Sequence, residues 1–166
     1  MDLICIPRRN RKRLSRDSLR EGFTLVELLV AMAIILTLAA IAIPNFLAAV
    51  YQARIAKAVA DIHSIGIDIQ GYALSNNYQY PNTLADIGDD KYLDPWHNPY
   101  QYLNFATVNG KGKMRKDRFL VPINTFFDLY SMGPDGQSVP PLTAKASQDD
   151  IIWANDGDYV GPASQY

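Results

Sequence analysis

With 166 residues, the chain is about the size of one domain and leaves no room for a second catalytic module. Its 16 Lys and Arg nearly balance 17 Asp and Glu, yet residues 1–22 carry a net +4 and residues 23–166 a net −5. An acidic body argues against nucleic acid as a partner, since phosphate binding needs clustered Lys and Arg. The single cysteine, Cys5, excludes a disulfide framework, a Cys-based metal site and a CxxC redox pair.

Seven basic residues between Arg8 and Arg20 precede a long apolar run, the layout of a segment addressed to a membrane. From Leu28 to Ile43 only Thr37 is polar, and with the flanking residues from Phe23 the run reaches the ~20 residues of a spanning helix. Basic residues flank only its N-terminal side, which predicts a cytoplasmic N-terminus and a body outside. Two residues do not suit a plain anchor. Glu27 places a carboxylate in the apolar run, at a cost of about 2.5–3.5 kcal/mol on insertion scales. Pro44 removes a backbone donor inside a helical stretch and predicts a kink.

Residues 51–74 continue the helix in amphipathic form. Ile55, Val59, Ile62, Gly66, Ile69 and Ala73 form one apolar stripe, with Arg54, Lys57, Asp61, Ser64 and Asp68 on the other side. Asn76-Asn77 and Tyr80-Pro81 predict its end. Residues 75–166 are rich in turns and aromatics. Residues 82–88 read as a single helical turn capped at the start and closed by Gly88. Residues 100–107, 126–131 and 151–154 are strand candidates, and 108–125, with its basic run 111–118, reads as a solvated connection. Asp86, Asp89 and Asp90 read as a solvated acidic patch, and His63 and His97 as residues without a metal or catalytic role. Short strands need a covering surface, which the apolar stripe supplies. The expected fold is therefore α+β: a long N-terminal helix packed on a small antiparallel β-sheet with a C-terminal loop region.

The string Gly22-Phe23-Thr24-Leu25-Val26-Glu27, between a basic leader and an apolar run, resembles the class III signal peptide of type IV pilins and type II secretion pseudopilins. The resemblance implies that residues 1–22 are removed by a prepilin peptidase, which cuts after Gly22 and methylates the new N-terminal Phe23. The mature chain then divides into a membrane-spanning and polymerising part (23–50), an amphipathic part (51–74) and a periplasmic β-rich part (75–166). Pairing the Phe23 amine of one subunit with Glu27 of a neighbour relieves two desolvation penalties together. The resemblance implies that this contact, with Pro44 shaping the helix, sets the register of the filament.

The body narrows the likeness. Asp94-Pro95-Trp96-His97-Asn98-Pro99-Tyr100, the turn Ser131-Met132-Gly133-Pro134-Asp135-Gly136, and Asp150-Ile151-Ile152-Trp153 are similar to three blocks of the type II secretion major pseudopilins. That family holds calcium between the second and third blocks. Carried over, this implies Asp135 and Asp150 as carboxylate ligands and Met132 as a carbonyl ligand, in keeping with the six to eight oxygens that calcium takes. The stretch 137–148 is longer than the family's glycine-rich link, and Asp149, Asp156 and Asp158 are alternative ligands.

No nucleophile–base pair, phosphate loop or metal-hydrolase motif stands in the sequence, so the expected function is structural rather than enzymatic. The resemblance implies a subunit of a type II secretion pseudopilus that supports export of folded proteins. Its expected partners are copies of itself, other pseudopilins, an inner-membrane assembly platform, the peptidase and the bacterial inner membrane, which it crosses once; the filament lies in the periplasm or beyond. The competing reading is a type IV major pilin of a surface fibre, which shares the leader and helix but not the DPW block. A DNA-binding minor subunit is disfavoured by the −5 charge, and in a membrane-anchored binding domain that never polymerises Glu27 should be replaceable without effect.

Overall fold

A computed structural model describes residues 22–166; the expected leader up to residue 21, with Cys5, lies outside the described residues. The chain divides into two compact units, Met1–Ile43 and Pro44–Tyr166. Helix α1, Leu25–Ser75, contributes to both and stays helical through Pro44.

In the first unit α1 is apolar on every side. Leu25, Leu28, Leu29, Ile34, Ile35, Leu38 and Ile41 are all exposed, and the helix is long and apolar enough to cross a membrane. Such a surface is stable in lipid or against other helices, and not in water. The helix opens with a reciprocal cap. The Glu27 carboxylate accepts from the Thr24 backbone N–H at 2.9 Å and from its hydroxyl at 2.8 Å, while Thr24 Oγ1 accepts from the Glu27 N–H at 3.2 Å.

In the second unit α1 is one-sided. Ala58, Ile62, Ile65, Gly66, Ile69 and Ala73 are buried, and Ile55 and Val59 pack on the same cluster. The helix ends where Asn77 and Tyr78 turn left-handed, at φ 55° and 61°. The Tyr78 N–H then donates back to the Ala73 carbonyl at 2.7 Å. A single turn, Leu84–Ile87, follows. The Asp86 carboxylate accepts from the N–H groups of Asn82 and Thr83, and Gly88 closes the turn at φ 83°.

Four strands complete the body: β1 Gln101–Asn104, β2 Phe127–Ser131, β3 Ile151–Ala154 and β4 Tyr159–Pro162. They form one antiparallel sheet in chain order. Alternate residues divide between two clusters, as a period of two dictates. Phe127, Leu129, Ile151 and Trp153 join the α1 stripe. Ile152 and Ala154 instead join Ile123, Leu142 and Ala163, with Tyr130, Tyr159 and Tyr166 around them. The sheet is thus covered on both faces, and all four residues of β3 are buried.

The α+β expectation is met, and three of the four strands stand where the sequence put them. Strand β4 is not among the sequence's candidates, because Gly161-Pro162 cuts short the β-formers Tyr159 and Val160. Two surface expectations also change. Asp89 is only 7 % exposed, and Arg115, in the supposedly solvated basic run, only 2 %.

Helix and sheet approach closely at Trp153. A Cβ on Gly66 would stand 2.2 Å from the six-membered ring of the indole, and one on Gly157 2.5 Å from the same ring. Gly66→Ala should therefore lower the unfolding free energy by about 1–3 kcal/mol, because the ring has to move against a packed core. Gly71→Ala, on the same helix with nothing near its Cβ position, should instead stabilise by about 0.5–1 kcal/mol. Chemical unfolding of the two variants side by side checks both signs.

Candidate functional site

The sequence singled out two regions, the start of α1 and the C-terminal loops. In the first, Gly22 and Phe23 precede the helix without regular structure, and both are exposed. Glu27 lies in the first turn, with one carboxylate oxygen held by Thr24. A carboxylate has about four acceptor positions, so that cap leaves room for a cation. Pro44 lies within α1 at the start of the second unit.

In the second region, the first two blocks fold into one knot around Asp94. Its Oδ1 accepts from the N–H groups of Trp96 and Asn98 at 3.0 and 2.8 Å. Its Oδ2 accepts from the Ser131 hydroxyl at 2.5 Å. The Asn98 side-chain amide in turn donates to the Gly133 carbonyl at 3.1 Å. Gly136, at φ 64°, passes so close that a Cβ would meet the Asn98 amide at 3.3 Å. The short side chain of Asp94 thus satisfies a tight loop and pins it to the end of β2 while buried to 3 % exposure. The aspartate and asparagine of the first block, and the serine and glycines of the second, are therefore explained by packing and hydrogen bonding alone.

The third block behaves differently. Asp150 is wholly buried, and its Oδ2 is paired with the Arg115 guanidinium and accepts from the Ser138 hydroxyl at 2.6 Å. Burial pushes its carboxyl up to about 6, against the opposing pull of Ser138 and Arg115. Arg115 also donates to Ser138 and to the Val139 carbonyl, and its guanidinium lies 4.3 Å over the Tyr130 ring. Its backbone N–H donates to Asp128 Oδ2 at 2.6 Å, and burial raises the Asp128 carboxyl as well.

Of the expected calcium ligands, Asp150 is engaged with Arg115, while Asp135 lies beside Asp149, both lining one cavity with Gln137 and Gln148. Asp135 is exposed and folds back on its own turn, accepting from the Gln137 N–H at 2.8 Å. Its N–H faces Asp149, not Asp150, at 3.3 Å. Asp156 is occupied elsewhere, accepting from the N–H and hydroxyl of Thr125 at 2.7 and 2.5 Å. Met132 lies half-buried between Ser131 and Gly133. Among the described residues, no three His, Cys, Asp or Glu side chains gather at one point, while calcium also takes carbonyl oxygens. Arg115 was missed by sequence reasoning. No local signal marks it, because its partner stands 35 residues further on.

Residues 18–43 match the family described as the prokaryotic N-terminal methylation motif. Over a longer stretch the chain is similar to proteins named type II secretion system core protein G. The Pseudomonas aeruginosa protein is 33% identical over 139 residues, covering 71% of this chain and 86% of that one. The Vibrio cholerae protein is 31% identical over 136 residues, covering 70% and 82%, and the Aeromonas hydrophila protein 30% over 140, covering 72% and 86%. No solved structure matches the chain significantly.

Replacing Asp94 tests the knot. Asp94→Ala strips an acceptor from two backbone N–H groups and a buried hydroxyl, and should lower stability by about 2–4 kcal/mol. Asp94→Asn keeps one carbonyl oxygen and should lose clearly less. Urea unfolding midpoints of the two variants give the comparison.

Proposed function

Because the chain belongs to the type II secretion system core protein G family, a pseudopilin family, we propose that its mature form is a structural subunit and not an enzyme. In this reading it polymerises through α1 into a filament that supports export of folded proteins. The observation that carries the reading is the first half of α1, a helix apolar on all sides and bare along its whole length. Lipid can cover that surface before assembly, and the same helices of neighbouring copies can cover it afterwards.

The remaining parts follow from that surface. Cleavage after Gly22 leaves Phe23 as an N-terminal cation, methylated in accord with the motif across residues 18–43. Glu27, four residues on, offers a carboxylate about one helical turn, ~6 Å, further along the axis. Within one chain its acceptor oxygen turns to Thr24. A neighbour displaced along the axis would bring its own amine to the remaining oxygens, where two desolvated charges neutralise each other. Since register depends on that pair, the charge at position 27 specifies assembly and not insertion. The cluster of basic residues on the leader side supports a cytoplasmic N-terminus and a periplasmic body. The proposed partners are further copies, other pseudopilins, the assembly platform and the prepilin peptidase.

Glu27→Leu provides the test. The variant should be processed and inserted at the normal level, as the substitution makes the helix more apolar. Sheared or cross-linked filaments should fall by at least about tenfold, the loss of roughly 1.4 kcal/mol or more per contact. Filaments of normal yield and length would overturn the role of Glu27 in assembly.

A further inference from the structure

We infer that the hairpin tip Arg118-Phe119, collared by Lys113 and Lys116, is a contact element that docks the body onto an anionic lipid surface. The inference rests on α1 as a membrane anchor and stands whether or not the chain polymerises.

The basic run 111–118 is the one sequence motif that the proposed function leaves without a role. Arg115 is withdrawn into the body, paired with Asp150. Lys111, Lys113, Lys116 and Arg118 then stand against a single acid, Asp117, a local net of +3 inside residues 23–166, whose net is −5. Among the described residues, Lys113, Lys116 and Arg118 form no ion pair. Lys111 is turned back on the same segment, donating to the Val121 carbonyl at 3.1 Å.

The backbone presents this charge on a spur. The Asp117 N–H donates to the Leu120 carbonyl at 3.1 Å and the Leu120 N–H donates back at 2.7 Å, so Arg118 and Phe119 alone make the turn. Arg118 is left-handed there, at φ 45°, a conformation that favours glycine or asparagine. The root of the spur is fixed to the body. The Lys116 N–H donates to the Pro140 carbonyl at 3.0 Å, the Leu142 N–H to the Lys116 carbonyl at 2.9 Å, and the Arg115 guanidinium to the Val139 carbonyl at 2.8 Å. At its end Phe119 is 102 % exposed and Leu120 51 %. A strained turn on a fixed root thus holds a phenyl ring out in water, where it packs on nothing of its own chain.

That combination suits a bilayer boundary. The ring and Leu120 can enter the acyl edge, while the long cationic side chains around them reach headgroup phosphates. A protein partner would have to supply a pocket for the ring with acids placed about it. A bilayer needs no such fit, and an anchored α1 keeps the body within reach of one. The connection that carries the spur covers the sheet face that α1 does not, so the contact leaves the helix–sheet core undisturbed.

The experiment uses the full-length chain in lipid vesicles with trypsin as the probe, since the Arg118–Phe119 bond is a substrate only while the tip is in water. Flotation with the vesicles first reports the anchor on its own. In phosphatidylcholine vesicles, cutting after Arg118 should proceed as it does in detergent. With about one third phosphatidylglycerol it should fall at least about tenfold relative to the cut after exposed Lys91, and about 0.5 M NaCl should restore it. Phe119→Ser keeps the trypsin site and should lose most of the protection in the anionic vesicles. Equal relative rates in the two vesicles would overturn the inference and leave an acidic protein as the partner of the tip. A Phe119→Ser chain protected as fully as the unaltered one would overturn it as well.

Discussion

The indole of Trp153 lies between Gly66 of α1 and Gly157 beyond β3, and the rest of the body is arranged around that contact. It sets how closely the sheet approaches the helix. Around it, Ile62, Ile65 and Ile69 meet Phe127, Leu129 and Ile151 in one cluster. Each large apolar side chain enclosed there is worth about 1.5–3 kcal/mol, so a small sheet of short strands becomes stable once helix and indole are in register. The tilted and stacked rings of Tyr80, Tyr102 and Phe127 extend the same seam towards the end of the helix. Tyr100 closes its other side, donating from its hydroxyl to Asp61 on α1 at 2.9 Å.

The second face of the sheet solves a different problem. Its covering consists of loops, and loops bring polar backbone that must be satisfied once water is excluded. Asp128, Asn124 and Arg115 do that work at the centre: Asn124 donates to Asp128 at 3.0 Å and to the Trp153 carbonyl at 2.9 Å. Charge is buried here because it binds many segments at once. An apolar substitute could fill the volume but could not tie four strands of chain together with directional bonds.

Much of this was legible in the sequence. The leader motif, the apolar run, the stripe from Ile55 to Ala73 and the stops after Ser75 are local, periodic signals, and the helix follows them closely. The turn at Leu84–Ile87 was equally local, carried by Asp86 and Gly88. What escaped reading depends on distant partners. Strand β4 extends through Gly161 and Pro162, against their own preference, because Val160 and Gly161 meet Trp153 and Ile152 across the sheet. Arg115 looked like its lysine neighbours, and only the fold brings Asp150 to it. Asp89, assigned to the surface with Asp86 and Asp90, is pulled inward by the turn it follows. There burial, with Asp68 and Asp90 adding to it, raises its carboxyl.

Every residue of the two core clusters lies beyond Pro44. The body therefore takes none of its cohesion from the first half of α1, and that half can exchange its surroundings without any rebuilding of the folded part. Hydrocarbon tails and packed apolar helices are nearly equivalent environments for such a surface. A chain of this design can pass from one environment to the other as the same folded object. The balance between the two is then set by small terms, a packed ridge or one charge pair.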